Sequence, residues 1–335
     1  MDTGQRAGRQ GLAGRRLDRS PADRVRSGVL GDQRNRTRTG VDCRHRGGTV
    51  VNESVLRFAC EGQPLVGILA EPDGTAADVG VIIIVGGPQY RIGSHRQFAL
   101  LARHLAAQGF AALRFDYRSM GDSPGETRDF LGVEADIAAA IDGLLAARSA
   151  LKRVALWGLC DAASAALLYL EARHDPRVAG VCLLNPWVRS PATLAQTHVK
   201  HYYWRRLREK EFWLKLARGG VGMKALQTLT SNLRLASTVN KPSRPGGGSF
   251  QDRMAAGLGG YAGTTLLVLS GADYTAKEFS DHVAQSPAWQ SPLKAATLSR
   301  LELPEADHTF SHSSQTRRVE EATSTWLSNL ANSGK

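Results

Sequence analysis

Residues 79 to 85 read VGVIIIV, and the chain then turns on Gly86, Gly87 and Pro88. A β-branched run without alternating polar positions fits a strand buried on both faces. Such strands need helices above and below them, so the neighbouring text should alternate strand with helix. It does. Residues 55–60 and 65–70 read as a hairpin around Glu61, Gly62 and Gln63. Residues 95–108 carry Phe98, Leu101 and Leu105 at helical core spacing, with Gly109 as the stop. Residues 111–115 are the next strand, 133–147 a helix, 154–159 a strand, 162–170 a helix and 178–184 a strand. This order implies right-handed crossovers and a mostly parallel sheet.

The alternation then stops. Residues 185–262 show no convincing strand and instead hold helical, aromatic-rich text such as HYYWRRLREKEFWLKLARGG, followed by the linker-like KPSRPGGGS. The glycines at 246, 247 and 248 lack the strand-to-helix setting of a phosphate loop. The β texture resumes at Thr264 with TTLLVLSGAD, continues in LSRLELPEADH and closes on a helix over residues 317–330. An insertion between two strands of a continuing sheet reads as a cap. The expected architecture is α/β: a mostly parallel eight-stranded sheet flanked by helices, with its core in residues 51–184 and 263–335. A helical cap, residues 185–262, is expected after the sixth strand. A chain of 335 residues that is 42% hydrophobic can bury a core of that size.

Charge and cysteine usage exclude several classes of function. The net charge of +12 is uneven, because residues 1–50 hold twelve arginines against five aspartates and no lysine, glutamate or aromatic residue. Arms that bind nucleic acid usually mix lysine with arginine, so no nucleic-acid partner is expected. Arg15 and Arg16 are not followed by the apolar stretch of an export signal. The segment is too poor in apolar residues to offset its ordering entropy and is expected to be disordered. We expect a leader supplied by an upstream start, with the natural protein beginning near Val51. The apolar run at residues 79–85 is far shorter than the roughly 20 residues of a membrane helix, so no stable membrane insertion is expected. Cys43, Cys60, Cys160 and Cys182 form neither a C-x-x-C pair nor a dense disulfide pattern. That spacing points to a reducing, cytoplasmic setting and to no structural metal.

In an open parallel sheet, ligands bind outside the carboxyl ends of the strands. Cys160 follows one strand end, Asp273 another and His308 a third, and the turn at Gly86 and Gly87 follows the VIIIV strand. The order nucleophile, acid, histidine is that of the α/β-hydrolase triad. GLCDA, residues 158–162, places Gly158 and Ala162 two positions either side of the cysteine, where a strand-to-helix elbow needs small residues.

Here the chain resembles the α/β-hydrolase superfamily over roughly residues 53 to 332. DYRSMGDS, residues 116–123, is similar to its D-x-R-G-x-G-x-S turn, with Ser119 where glycine is usual. GGPQYRIGSHRQF, LRFDYRSMGDS, GLCDAASAALLY, LLNPWVRS, HVKHYY and LPEADHTFS together resemble the exosortase A system-associated hydrolase type 1 family. That resemblance begins near Val51, runs through the cap, and implies a bacterial protein of exopolysaccharide and protein-sorting loci.

The residue roles follow from chemistry. A cysteine at a helix N-terminus is favoured as thiolate, His308 shares its proton, and Asp273 orients the imidazole. Glu278 and Asp281 compete with Asp273 for the acid, and His312 and His282 with His308. The N–H groups of Asp161 and Gly87 are candidates for the oxyanion hole. Val85 stands where relatives carry histidine, Pro88 cannot donate, and Gln89 is the fallback donor. A carboxylate beside the nucleophile should disfavour the thiolate, so the side chain of Asp161 binds a cation or a substrate amine, or points into solvent. Tyr202, Tyr203 and Trp204 are candidates to line an acyl pocket under the cap. The expected activity is hydrolysis of an ester or thioester of a small, lipid-linked or saccharide-linked acyl substrate, through an acyl-cysteine intermediate and without cofactor. Acyl transfer by the same triad is the second reading, and a non-catalytic binding protein of this fold the third.

Overall fold

The computed structural model describes residues 41–44, 50–87, 89–189 and 248–333. Nine strands form one sheet: β1 (Val41–Arg44), β2 (Val50–Cys60), β3 (Gln63–Glu71), β4 (Val79–Ile84), β5 (Ala112–Asp116), β6 (Arg153–Leu159), β7 (Val178–Leu184), β8 (Thr264–Ser270) and β9 (Leu298–Leu303). Their spatial order is β1-β2-β3-β5-β4-β6-β7-β8-β9. From β5 to β9 every pairing is parallel, whereas β1, β2 and β3 join antiparallel at one edge. The eight expected strands are β2 to β9. The ninth, β1, comes from within the expected leader, where Val41 to Arg44 pair with Glu53 to Val50; residues 1–40 lie outside the described residues.

Burial follows position in the sheet. Every residue of β4 and β5 is buried, whereas β3 alternates and β9 is buried only at Leu303. Ile82, Ile83 and Ile84 have no exposed surface, and each such side chain stabilises the fold by roughly 1.5–3 kcal/mol relative to exposure. The hairpin between β2 and β3 turns on Glu61 and Gly62, both with positive φ, which matches the right-handed twist of paired strands.

Helices cover both faces. One face carries α1 (Gln97–Ala107), and the other α2 (Glu134–Ala147) and α3 (Asp161–Arg173). α4 (Phe250–Gly259) packs on α3; α5 (Tyr274–Gln285) and the short α6 (Pro287–Gln290) follow β8; α7 (Ser313–Asn332) closes the chain against α1, β7 and β8. α1 begins later than its pattern suggests. A 3-10 turn at Ser94–Arg96, with His95 and Arg96 left-handed, precedes it, and no side chain caps its first turn.

Of the expected cap, residues 190–247 lie outside the described residues, and with them Tyr202, Tyr203 and Trp204. Its described C-terminal part belongs to the helical layer. A Cβ on Gly257 would stand 2.2 Å from the Leu167 carbonyl oxygen, so α4 approaches α3 backbone to backbone. Arg253 bridges to Glu171 at 2.7 Å, and Gln251 donates to the Val188 carbonyl at 3.1 Å. Among the described residues, no helix is long and apolar enough to cross a membrane.

Candidate active site

β6 delivers Cys160 to the carboxyl end of the sheet, where the residue takes φ 64° and ψ −124° as the N-cap of α3. A non-glycine residue at positive φ costs energy and persists only where its surroundings enforce it. Here the Cys160 N–H donates to the Leu184 carbonyl at 2.8 Å, and the Cys160 carbonyl accepts from Ala163 at 3.1 Å and from Trp187 at 3.2 Å. The elbow also requires its glycine. A Cβ on Gly158 would lie 2.6 Å from the carbonyl group of Ala162, so strand and helix meet at a distance no side chain permits.

The structure brings His308 and Asp273 to this corner. The His308 Nδ1 lies 2.8 Å from Asp273 Oδ2, which leaves the other edge of the ring for the Cys160 thiol. The hydrogen bond to Asp273 first, and the one to Cys160 second, push the imidazole up to about 10 against the effect of burial. The site is therefore arranged to keep an imidazolium beside the sulfur. Asp273 is held below the usual carboxylate range: burial opposes this, but His308 and the amides of Thr275 and Ala276 outweigh it. Those amides donate to Asp273 at 3.1 Å each, so the carboxylate caps α5 and orients His308 at once.

Two of the competing residues, Glu278 and His312, are engaged elsewhere. Glu278 pairs with Arg189 at 2.9 Å. His312 caps α7, accepting from Ser314, and His282 lies on α5 with burial pushing its imidazole down.

The candidate oxyanion hole holds a side chain. Gly87, at φ 64°, directs its N–H at the Asp161 carboxylate, with Oδ2 at 2.9 Å. The Asp161 side chain thus folds back into the turn after β4. Burial pushes its carboxyl up, although the amides of Gly87, Ala162 and Asp161 itself and the charge of His308 oppose that. Gln89 donates one of the two N–H bonds of its side-chain amide to the Gly86 carbonyl.

The matched residues, 81–322, are those of the family model described as the alpha/beta hydrolase family. The chain belongs to the alpha/beta hydrolase family. Solved structures with the same fold include the Pyrococcus furiosus esterase Pf2001, at TM-score 0.55 and 16% identity over 83% of this chain and 93% of that one. Dienelactone hydrolase from Anabaena variabilis aligns at TM-score 0.53 and 16% identity, over 83% of this chain and 98% of its own. Est1E from Butyrivibrio proteoclasticus, solved with ferulic acid bound, aligns at TM-score 0.54 and 16% identity, over 82% and 98%. No curated protein matches the chain.

Two supports of this hydrolase site are residues to which the sequence motifs assign no chemical role. Asn185, fully buried directly after β7, donates to Ser270 Oγ at 2.9 Å and to the His308 carbonyl at 3.3 Å, and its Oδ1 accepts from the Ser270 N–H at 2.9 Å. Ser270 in turn donates to the Asp307 carbonyl at 2.9 Å, so the pair clamps the loop that carries His308. Asp116, fully buried, accepts from the Arg91 and Asp122 amides at 2.8 and 3.1 Å and pairs with the Arg91 guanidinium. That contact fastens the loop after Gly87 to the turn after β5. Within this turn Ser119 takes φ 69°, a conformation that glycine adopts more readily.

Proposed function

We propose that this alpha/beta hydrolase cleaves an ester or thioester through an acyl-cysteine intermediate, with Cys160 as nucleophile, His308 as acid and base, and Asp273 as the residue that orients His308. The observation that carries this reading is the Asp273–His308 bond of 2.8 Å beside a cysteine held at positive φ on the elbow. The thiolate attacks the acyl carbon and the carbonyl electron pair moves to oxygen. The tetrahedral adduct collapses and expels the leaving alcohol or thiol, which takes its proton from the His308 imidazolium. Neutral His308 then accepts a proton from water as its oxygen attacks the thioester. Collapse returns the thiolate, the imidazolium and a free acid.

Sulfur leaves the acyl-enzyme more readily than oxygen would and attacks plain esters less well, which favours thioesters, lactones and activated esters. The motif resemblance to the exosortase A system-associated hydrolases supports a lipid-linked or saccharide-linked acyl substrate in a bacterial exopolysaccharide locus. A thiol nucleophile works only while reduced, and Cys60, Cys160 and Cys182 are all unpaired, which supports a cytoplasmic setting.

The test is intact mass after exposure to a panel of acyl thioesters and aryl esters. The expected result is an acyl adduct on Cys160 that decays to free acid and is missing from Cys160→Ala. Turnover that survives in Cys160→Ala overturns the reading.

A further inference from the structure

A carboxylate that closes the site's own oxyanion hole needs a physical account. Gly87 donates to Asp161 Oδ2 at 2.9 Å, and the Asp161 main-chain amide faces the same carboxylate. These are the two N–H groups that would hold the oxygen of a tetrahedral adduct. The turn after β4 is shaped around this occupant: a Cβ on Gly86 would lie 2.2 Å from Asp161 Oδ1. Gly86 does not have the positive φ that would by itself call for glycine, so what the position requires is room. The charged and titratable groups that act on the carboxylate are Tyr117 from the turn after β5 and His308 from the loop after β9.

Resting on the acyl-cysteine reading, we propose that Asp161 determines which acyl donors this enzyme accepts, because its carboxylate is a built-in occupant of the oxyanion hole that the substrate's carbonyl oxygen must displace. The occupant is tethered, so it competes at all times. It is also displaceable, since burial works against its charge. Two consequences follow from charge alone. Donors that are neutral around the scissile carbonyl and develop strong negative charge on oxygen are favoured over donors that carry a carboxylate nearby. Free-acid products, which are carboxylates themselves, compete poorly with a tethered one and leave readily.

The experiment compares two reactions of the same sulfur in wild type, Asp161→Asn and Asp161→Ala. Alkylation by iodoacetamide needs a thiolate and no oxyanion hole, whereas the p-nitrophenol burst from p-nitrophenyl butyrate needs both. Any change in the reactivity of the sulfur itself appears in both reactions. The ratio of acylation to alkylation therefore reports the hole. It is expected to rise about tenfold to a hundredfold in Asp161→Ala, the range of one charge-assisted hydrogen bond, and less in Asp161→Asn, whose amide oxygen still accepts from Gly87. p-Nitrophenyl hemisuccinate should gain more than the butyrate ester, and butyrate should inhibit Asp161→Ala at about tenfold lower concentration than wild type. Alkylation of Cys160 in each variant shows that the elbow is intact. A ratio that stays constant or falls, with Cys160 still labelled, overturns this proposal and leaves the acyl-cysteine reading standing. Wild-type Cys160 that takes neither label overturns both.

Discussion

Asp273 and Asp161 each stand at the start of a helix just past a strand end, and each accepts hydrogen bonds from main-chain amides. Their carboxyls are nevertheless pushed in opposite directions, Asp273 down and Asp161 up. The difference lies in the countercharge. Asp273 shares its Oδ2 with the His308 ring at 2.8 Å, whereas Asp161 feels that ring only through space and is otherwise held by neutral amides. At Asp161 the amide dipoles soften the cost of burying the carboxylate but do not outweigh it. Two acids at one site are thus prepared for different tasks: Asp273 as a permanent anion, Asp161 as one that can be moved.

The most disruptive way to break the comparison is to remove the shared cation. His308→Ala should lower the acylation rate by about 10⁶-fold, as loss of the base does in related triads, while His312→Ala should leave it nearly unchanged. Burst kinetics with an aryl ester check both, and equal losses would mean that His308 is not the base. Asp273→Asn comes next, with an expected loss of about 10⁴-fold in kcat. In that variant the His308 ring, followed by NMR, should titrate well below the value of about 10 set by its two partners.

Stability should separate the two acids by sign. A carboxyl lowered by folding contributes stability above its unfolded value and loses it as pH falls through the folded value; a raised one costs stability once pH passes the unfolded value. Asp273→Asn should therefore lower Tm at pH 7 and by less at pH 3, whereas Asp161→Asn should raise Tm at pH 7 with the gain vanishing near pH 3. Calorimetry at the two pH values checks both, at about 2–4 °C for each kcal/mol in a domain of this size. Asp161→Asn that lowers Tm at pH 7 would show that its hydrogen bonds outweigh its burial. The smallest expected effect is that of Glu278→Gln on kcat, within about twofold, because Glu278 faces Arg189 and not His308.

The sheet was legible because its signals are local. The polarity of the run at residues 79–85 is a property of consecutive side chains, and β4 is buried along its whole length. The elbow was legible for the same reason, since Gly158, Cys160 and Ala162 lie within one turn of chain and the close approach that demands them is between neighbours. By itself, then, the sequence determined the layered α/β architecture, the strand ends at which chemistry can sit, and the cysteine on the corner. What it left open depended on segments far apart in the chain. The choice among Asp273, Glu278 and Asp281 turns on which carboxylate faces a histidine some 30 residues away, and all three lie on or beside one helix. The Asn185 and Ser270 clamp spans 85 residues and uses residue types that occur throughout any sequence. The direction of the Asp161 side chain rests on a hydrogen bond from Gly87, 74 residues earlier, and on the space that Gly86 leaves. Only the tertiary structure decides such contacts, because a hydrogen bond has a range of about 3 Å in space and none along the chain.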